Sequence, residues 1–457
     1  MDNKNICVNK IVEICNGKLL SGNENTEIEA YSKDTRTLNK GDMYLGIKGE
    51  KINGNDYIEQ AFINGAIGCI TDEDVSEEII SKYKEKTIIK VEDTIKAIQQ
   101  LAKYKRSLYN IPVIAVTGSV GKSSTKDIIA NVLEQKFKVL KTEGNMNNHI
   151  GLPMTLLKLK DHTAIVVEMG MNHFREISLL TNIAKPTGCV ITNIGTSHIG
   201  NLGSRENILK AKLEILEGLD KNGFILINND NDLLHEWAKK EKRYKIYTYG
   251  LENNSTYMAK KITTLENSSE FEINGIKGNV PIGGIHFVYN SVCAFAVGDI
   301  LNVEKEKIIK GISEFKLTAK RMDIEIIQDN IKIINDSYNA SYDSMKAALE
   351  VVNNTLAQRK IAILGDMLEL GEYAKELHEK VGEEVVKNKI DILITIGDNA
   401  KNIANKAKEL KMENVYMFDG IEEAIEYIKK TIKCGDLILL KASNSMNFSK
   451  ILNEIKA

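Results

Sequence analysis

One run of nine residues, Thr117 to Thr125 (TGSVGKSST), carries the most concentrated chemistry in the chain. Gly118 and Gly121 leave the backbone bare, so that main-chain N–H groups and the start of a following helix can meet phosphate oxygens at close range. Lys122 adds a point charge, and Ser123 offers a hydroxyl to a magnesium ion bridging nucleotide phosphates. Thr117, Gly118, Ser119, Val120, Gly121, Lys122, Ser123 and Ser124 are therefore the expected phosphate-binding residues. The strict form of such a loop has glycine six positions before the lysine; Val116 stands there, so the loop is a variant. A simple glycine turn between strand and helix is the competing reading, and the flanking apolar strand, the helix and the paired serines favour a nucleotide.

A nucleotide held with magnesium needs further ligands, which parallel sheets supply at the C-terminal ends of their strands. Glu168 ends the apolar run AIVVE, and His198 follows VITNIG in the turn TSHIG. Taken singly, a glutamate after a strand is usually solvated and a turn histidine usually idle. The helix-like NILKAKLEILEGL carries Lys210 and Lys212, and periodicity does not choose between them. His286 and His378 have no neighbouring serine or cysteine, which disfavours a hydrolytic triad.

The elements that must position these groups follow from hydrophobic period. Ile111 to Val116 predicts a buried strand, Thr117 to Gly121 a turn, and Ser123 to Lys136 a helix. Short runs such as Ala164 to Val167 and Val190 to Thr192 alternate with helical segments, the pattern of a parallel α/β sheet. It returns near the C-terminus in IKIIND, KIAILGD, DILITIGD, NVYMFD and DLILLKAS, predicting a second doubly wound sheet. Residues 1–107 form a smaller mixed unit ending in the helical DTIKAIQQLAKYKRSLYN. We expect domains at 1–107, 108–317 and 318–457, which suits a chain of 457 residues.

Composition narrows the function classes. Lysine and arginine total 61 against 63 aspartates and glutamates, which argues against binding nucleic acid or anionic membranes through bulk charge. The six cysteines are scattered without a CxxC pair, as expected for reduced thiols in a cytoplasmic protein. No apolar run approaches the ~18 residues of a membrane span, and no signal peptide is expected.

Several motifs then line up: TGSVGKSSTK, GNMNNHIGLPMTLL, VVEMGMNHFREI, TNIGTSHIGNLGS, KAKLEIL, DSYNASYDSMKAAL and LGDMLELGE. Together they resemble the Mur ligases over essentially the whole chain, since SKDTR, YLGIKGE and NGAIGCITDE also look like that family's uridine-nucleotide-binding domain. The resemblance implies a three-domain α/β architecture: a small N-terminal α/β uridine-nucleotide-binding domain, a central P-loop ATPase-type domain with a parallel sheet, and a C-terminal Rossmann-like domain. NNHIGLP, YNAS and LGDMLELG look like the branch that joins D-alanyl-D-alanine to a UDP-N-acetylmuramoyl tripeptide through an acyl phosphate, with ATP and two magnesium ions.

By the same resemblance Lys122 binds ATP phosphates, Glu168 and His198 hold magnesium, and Lys212 is carbamylated to become an anionic metal ligand. Asn290 meets adenine, and Arg321 and Asp336 reach the ribose and phosphates from the third domain. Asn147 and Asn148 resemble contacts to the muramoyl substrate, and Ser32, Thr35 and Arg36 contacts to its uridine diphosphate. His198 is also a candidate base for the amine, and a monomer is expected. Departures stand at Lys441-Ala442-Ser443-Asn444, where the family usually reads KGSR, at Arg175 in place of a common glycine, and at Phe287 in place of asparagine. Two other readings compete: a related ligase with different substrates, as in folylpolyglutamate or cyanophycin synthesis, and a P-loop switch protein.

Overall fold

The computed structural model describes residues 4–316, 323–327 and 330–456. Its α/β class and its three large sheets match the expected architecture. The expected boundary at 317/318 and Arg321 lie outside the described residues.

The central sheet is nine-stranded. From one edge its order is Val139–Lys141, Ala164–Glu168, Val113–Thr117, Gly188–Ile191, Phe224–Asn228, Lys245–Gly250 and Tyr257–Thr264, all paired in parallel. Val113–Thr117 lies where the order reverses, the next two strands going to one side and the third to the other. Such a reversal opens a crevice at the carboxyl ends of the strands. Within this strand Val113 and Ala115 face one buried cluster, while Ile114 and Val116 face another with the helix Ile285–Ile300. Both faces are therefore covered, which explains the unbroken apolar run. Thr117 completes the strand instead of opening the turn, and the following helix is Lys122–Glu134.

The parallel pattern does not continue to the other edge. Ser269–Ile273 and Ile276–Val280 add an antiparallel hairpin whose turn, Asn274-Gly275, has positive φ at both residues (47° and 87°). That Asn-Gly pair is a strong local hairpin signal, and the sequence pattern of buried parallel strands did not include it.

The C-terminal sheet runs Asp323–Ile327, Ile331–Asn335, Asp436–Lys441, Arg359–Gly365, Ile392–Ile396 and Val415–Phe418, with only the first strand antiparallel among the described residues. Asn335 pairs with Leu440, so Asp336 and Lys441 emerge side by side at the carboxyl edge. The N-terminal sheet is five-stranded, and its lobe is tied on by the helix Thr94–Ser107. There the Arg106 guanidinium donates to the carbonyls of Tyr109 (2.6 Å), Ala184 (2.9 Å) and Lys185 (3.2 Å). A buried guanidinium is tolerable only with such partners.

Candidate active site

Gly118 and Gly121 are required by geometry. Gly118 has φ 153°, and a Cβ there would lie 1.9 Å from Thr192 Oγ1; Gly121, at φ 82°, caps the helix Lys122–Glu134. The loop rests on the segment after Gly188–Ile191. Asn193 Oδ1 accepts from the amides of Ser119 (3.1 Å) and Val120 (2.9 Å), and Thr192 Oγ1 donates to the Val120 carbonyl (2.7 Å). The amides of Gly121 to Ser124 lie at the cap and first turn of the helix, ahead of the first intrahelical bond from Thr125 to Gly121, so they are the groups available to an anion. Lys122 Nζ folds over the loop, donating to the carbonyls of Gly118 (2.9 Å) and Ser119 (3.3 Å).

Glu168 ends the adjacent strand and is buried. Its Oε2 accepts from Ser123 Oγ at 2.6 Å and its Oε1 from Asn147 Nδ2 at 2.8 Å. Three residues distant in sequence thus meet at the helix N-terminus. Asn290, on the helix Ile285–Ile300, accepts from Thr125 Oγ1 at 2.9 Å beside Gly121. Asn148 is differently engaged: its Oδ1 accepts from the amides of Ile150 (3.2 Å) and Gly151 (2.8 Å), fixing the start of the helix Gly151–Leu157.

The helix Arg205–Leu213 resolves what periodicity left open. Lys210 is exposed, whereas Lys212 is only 2% exposed. Burial, and secondarily the charge of Lys122, push the Lys212 ammonium well below its ordinary range, favouring the neutral, nucleophilic amine.

A cleft of roughly 1190 Å³ runs between the central and C-terminal lobes. Residues 119–124, Asn147, Asn148, Glu168, His198 and Asn290 line one wall, and Asp336 and Lys441 lie on the other. Lys441 is buried; it pairs with the Asp336 carboxylate and donates to the Asn339 carbonyl at 3.1 Å. Ser32, Thr35 and Arg36 are not among the cleft-lining residues. They lie on the N-terminal lobe, where Arg36 grips Asp34 through Nε (2.9 Å) and Nη2 (2.7 Å) and holds that carboxyl down at about 2.

His198 adopts φ 64°, and its Nδ1 lies 2.5 Å from Oε2 of Glu369, itself at φ 62°. Two non-glycine residues in left-handed conformation thus face each other across the lobes, a strained arrangement typical of functional positions. Arg175 is another left-handed residue (φ 73°), which explains why glycine suits that position. Its amide is held by the buried Glu214 carboxylate at 2.8 Å.

The loop bearing Glu369 is organised by His378, fully buried, whose Nε2 accepts from the Met367 amide (3.0 Å) while Nδ1 donates to Ala374 O (2.6 Å). Burial depresses its pKa. The unfolded chain therefore binds a proton before the folded one does, and stability present above the unfolded pKa of about 6.5 is lost as pH falls through the folded value. Thermal melts from pH 7.5 to 5.5 should show a steeper decline for the natural protein than for His378→Gln; parallel declines would refute this origin.

Among the described residues no three His, Cys, Asp or Glu side chains form a metal-holding cluster. Magnesium asks for less, since it keeps several waters and takes one or two carboxylates together with substrate phosphates. The buried Glu168 carboxylate against the Ser123 hydroxyl, at a phosphate-binding turn, fits that requirement.

Among these groups, Lys122 and Ser123 were legible in sequence, Lys441 was noted only within the departure at 441–444, and Asn193 and Glu369 were not singled out. Each acts through a partner distant in the chain; only their motif segments gave a signal.

Residues 27–106 match the Mur ligase family catalytic domain, 116–298 the Mur ligase middle domain, and 320–444 the Mur ligase glutamate ligase domain. The chain is 37% identical over 454 residues, covering 98% of each sequence, to the UDP-N-acetylmuramoyl-tripeptide–D-alanyl-D-alanine ligase of Bacillus subtilis. It is 34% identical to that of Synechocystis, covering 98% of this chain and 97% of the relative. Among solved structures, MurF from Acinetobacter baumannii superposes with a TM-score of 0.89 at 27% identity over 100% of both chains. MurF ligase from Thermotoga maritima in complex with ADP superposes with a TM-score of 0.80 at 26% identity, covering 94% of this chain and 97% of that one. With three family domains matched in order along the chain and 98% of its length covered by a relative of 37% identity, the chain belongs to the Mur ligase family.

Proposed function

We propose that this protein is the ATP-dependent ligase that joins D-alanyl-D-alanine to UDP-N-acetylmuramoyl-tripeptide, releasing ADP and phosphate. The observation that carries the chemistry is the shared cleft, with Lys122, Ser123 and Glu168 on one wall and Asp336 and Lys441 on the other. The substrates are supported by full-length similarity to ligases of that name.

A carboxylate is a poor electrophile, so the γ-phosphoryl group of ATP passes first to the terminal carboxylate of the tripeptide. The resulting acyl phosphate is attacked by the dipeptide amine; an amide forms and phosphate departs. The chain's task is electrostatic and positional, and no enzyme nucleophile is required. Helix N-terminal amides and Lys122 receive phosphate charge, while Ser123 and Glu168 are the groups to hold magnesium, with His198 a further ligand or the base that takes the amine proton. Magnesium, when bound, neutralises charge building on the transferring group.

Lys212, buried and held toward its neutral form, is the residue suited to react with carbon dioxide and become a carbamate; Lys210, solvated, is not. Asn290 and Asp336 are assigned to the nucleotide, Asn147 and Asn148 to the muramoyl portion, and Ser32, Thr35 and Arg36 to the uridine diphosphate. That division of labour corresponds to lobes at 1–107, 108–317 and 318–457. We infer a cytoplasmic monomer, because the substrates are nucleotide-linked and one chain supplies every assigned group. No helix among the described residues is long and apolar enough to cross a membrane.

The test supplies ATP, magnesium, UDP-muramoyl tripeptide and D-alanyl-D-alanine and follows phosphate release while each is omitted. Release should require all four. Release indifferent to both peptide substrates would indicate a nucleotide switch, and release with another amine a diverged ligase. Lys212→Ala should lose activity that bicarbonate does not restore; full activity at low bicarbonate would remove the carbamate.

A further inference from the structure

The C-terminal lobe touches the central lobe at one point that bears directly on the phosphate loop. Asp343 lies in the first turn of the helix Tyr342–Asn354 and lines the cleft. Its Oδ2 accepts from both the Thr196 amide (2.9 Å) and the Thr196 hydroxyl (3.1 Å). Space for that carboxylate exists only because residue 195 is glycine, since a Cβ there would lie 2.2 Å from Asp343 Oδ2. The same segment reaches the phosphate loop from its other side. The Gly195 amide donates to Ser119 Oγ at 2.9 Å, and Ser197 Oγ donates to the Ser119 carbonyl at 3.3 Å. Two sets of hydrogen bonds, joined by the Gly195–Thr196 peptide bond, therefore connect the C-terminal lobe to Ser119.

We propose that Asp343 is a positioning residue that clasps Thr196 when the C-terminal lobe is seated, and so links closure of the cleft to the geometry of the phosphate-binding loop. The inference rests on the ligase reading above and goes beyond it by assigning a role to a residue outside the expected site set. A carboxylate suits the task because a single oxygen takes two donors, and charge-assisted bonds are the stronger ones. The clasp acts on the closed state, in which phosphoryl transfer occurs. Its loss lowers turnover more than it weakens binding of the UDP-linked substrate, which the N-terminal lobe is assigned to hold.

Asp343→Ala should lower kcat about 10- to 100-fold, the kinetic equivalent of losing a hydrogen bond to a charged group, with KM for the UDP-linked substrate within about twofold. Asp343→Asn keeps an oxygen able to accept both Thr196 hydrogens and should stay within about fivefold of the natural enzyme. Gly195→Ala places a methyl group against the carboxylate and should lower kcat comparably. Because both substitutions break one contact, the double variant should be no slower than the slower single. Natural kcat in Asp343→Ala, equal damage from Asn and Ala, or multiplicative losses in the double variant would each overturn the proposal. Should Asp343→Ala fail to fold, Thr196→Val decides, since it removes only the hydroxyl donor; natural kcat in a folded Thr196→Val overturns it and a reduced kcat supports it. Natural protein silent in the four-component assay defeats the ligase reading itself, whereas active natural protein with an equally active Asp343→Ala defeats only the clasp.

Discussion

Replacing Lys122 with alanine is expected to lower turnover about 10³-fold while leaving the fold intact, the range seen when one preorganised charge-stabilising group is removed. The side chain is partly exposed on the cleft wall and spans its own loop, donating to the carbonyls of Gly118 and Ser119. Its loss therefore removes charge without opening the core. Its charge also contributes, after burial, to the depression of the Lys212 ammonium; that amine should titrate higher in the variant yet still below its ordinary range. Steady-state phosphate release, with circular dichroism and a thermal melt as controls, checks the outcome. Turnover within tenfold of the natural protein would show that the loop amides alone manage the phosphate charge.

Glu168 is expected to be more costly still, because it serves structure and chemistry together. Its two carboxylate oxygens receive Ser123 and Asn147 in a site that is 2% exposed. Glu168→Ala leaves the buried Ser123 hydroxyl without its acceptor, costing about 1–3 kcal/mol, and releases Asn147 at the cleft wall, so a lowered melting temperature should accompany the loss of activity. Glu168→Gln separates the two effects. It preserves volume and one accepting oxygen, but turns the other position into a donor and removes the charge. Its turnover should fall at least about 10²-fold, with half-maximal activity shifted to higher magnesium. The readout is initial rate against magnesium concentration. An unchanged magnesium requirement in a folded Glu168→Gln would exclude the carboxylate from the metal site and leave it a purely structural partner of Ser123.

These expectations differ in how far they could be read without a fold. The phosphate loop was legible because everything that shapes it is local: a buried strand, two glycines with positive φ and a helix start lie within about a dozen consecutive residues, so residue type alone selects the conformation. The family resemblance was similarly visible in contiguous motifs. The C-terminal strands could be recognised from continuous apolar runs, since strands covered on both faces have no polar side. The hairpin at 269–280 was missed because its strands are half exposed and their mixed composition lacks that run.

What the chain alone determined, then, is the set of local conformations and the chemistry each can present. Tertiary structure decided which groups meet. Lys212 rather than Lys210 is buried because the helix Arg205–Leu213 packs one side against the core, a choice that a helix with little amphipathic contrast does not announce. Ser123 finds Glu168, Lys441 finds Asp336 and Thr196 finds Asp343 across separations of 45, 105 and 147 residues. The physical reason is that such pairings depend on sheet order and lobe docking, which are set by the summed burial of many apolar side chains, whereas the pairing residues themselves contribute little to that sum.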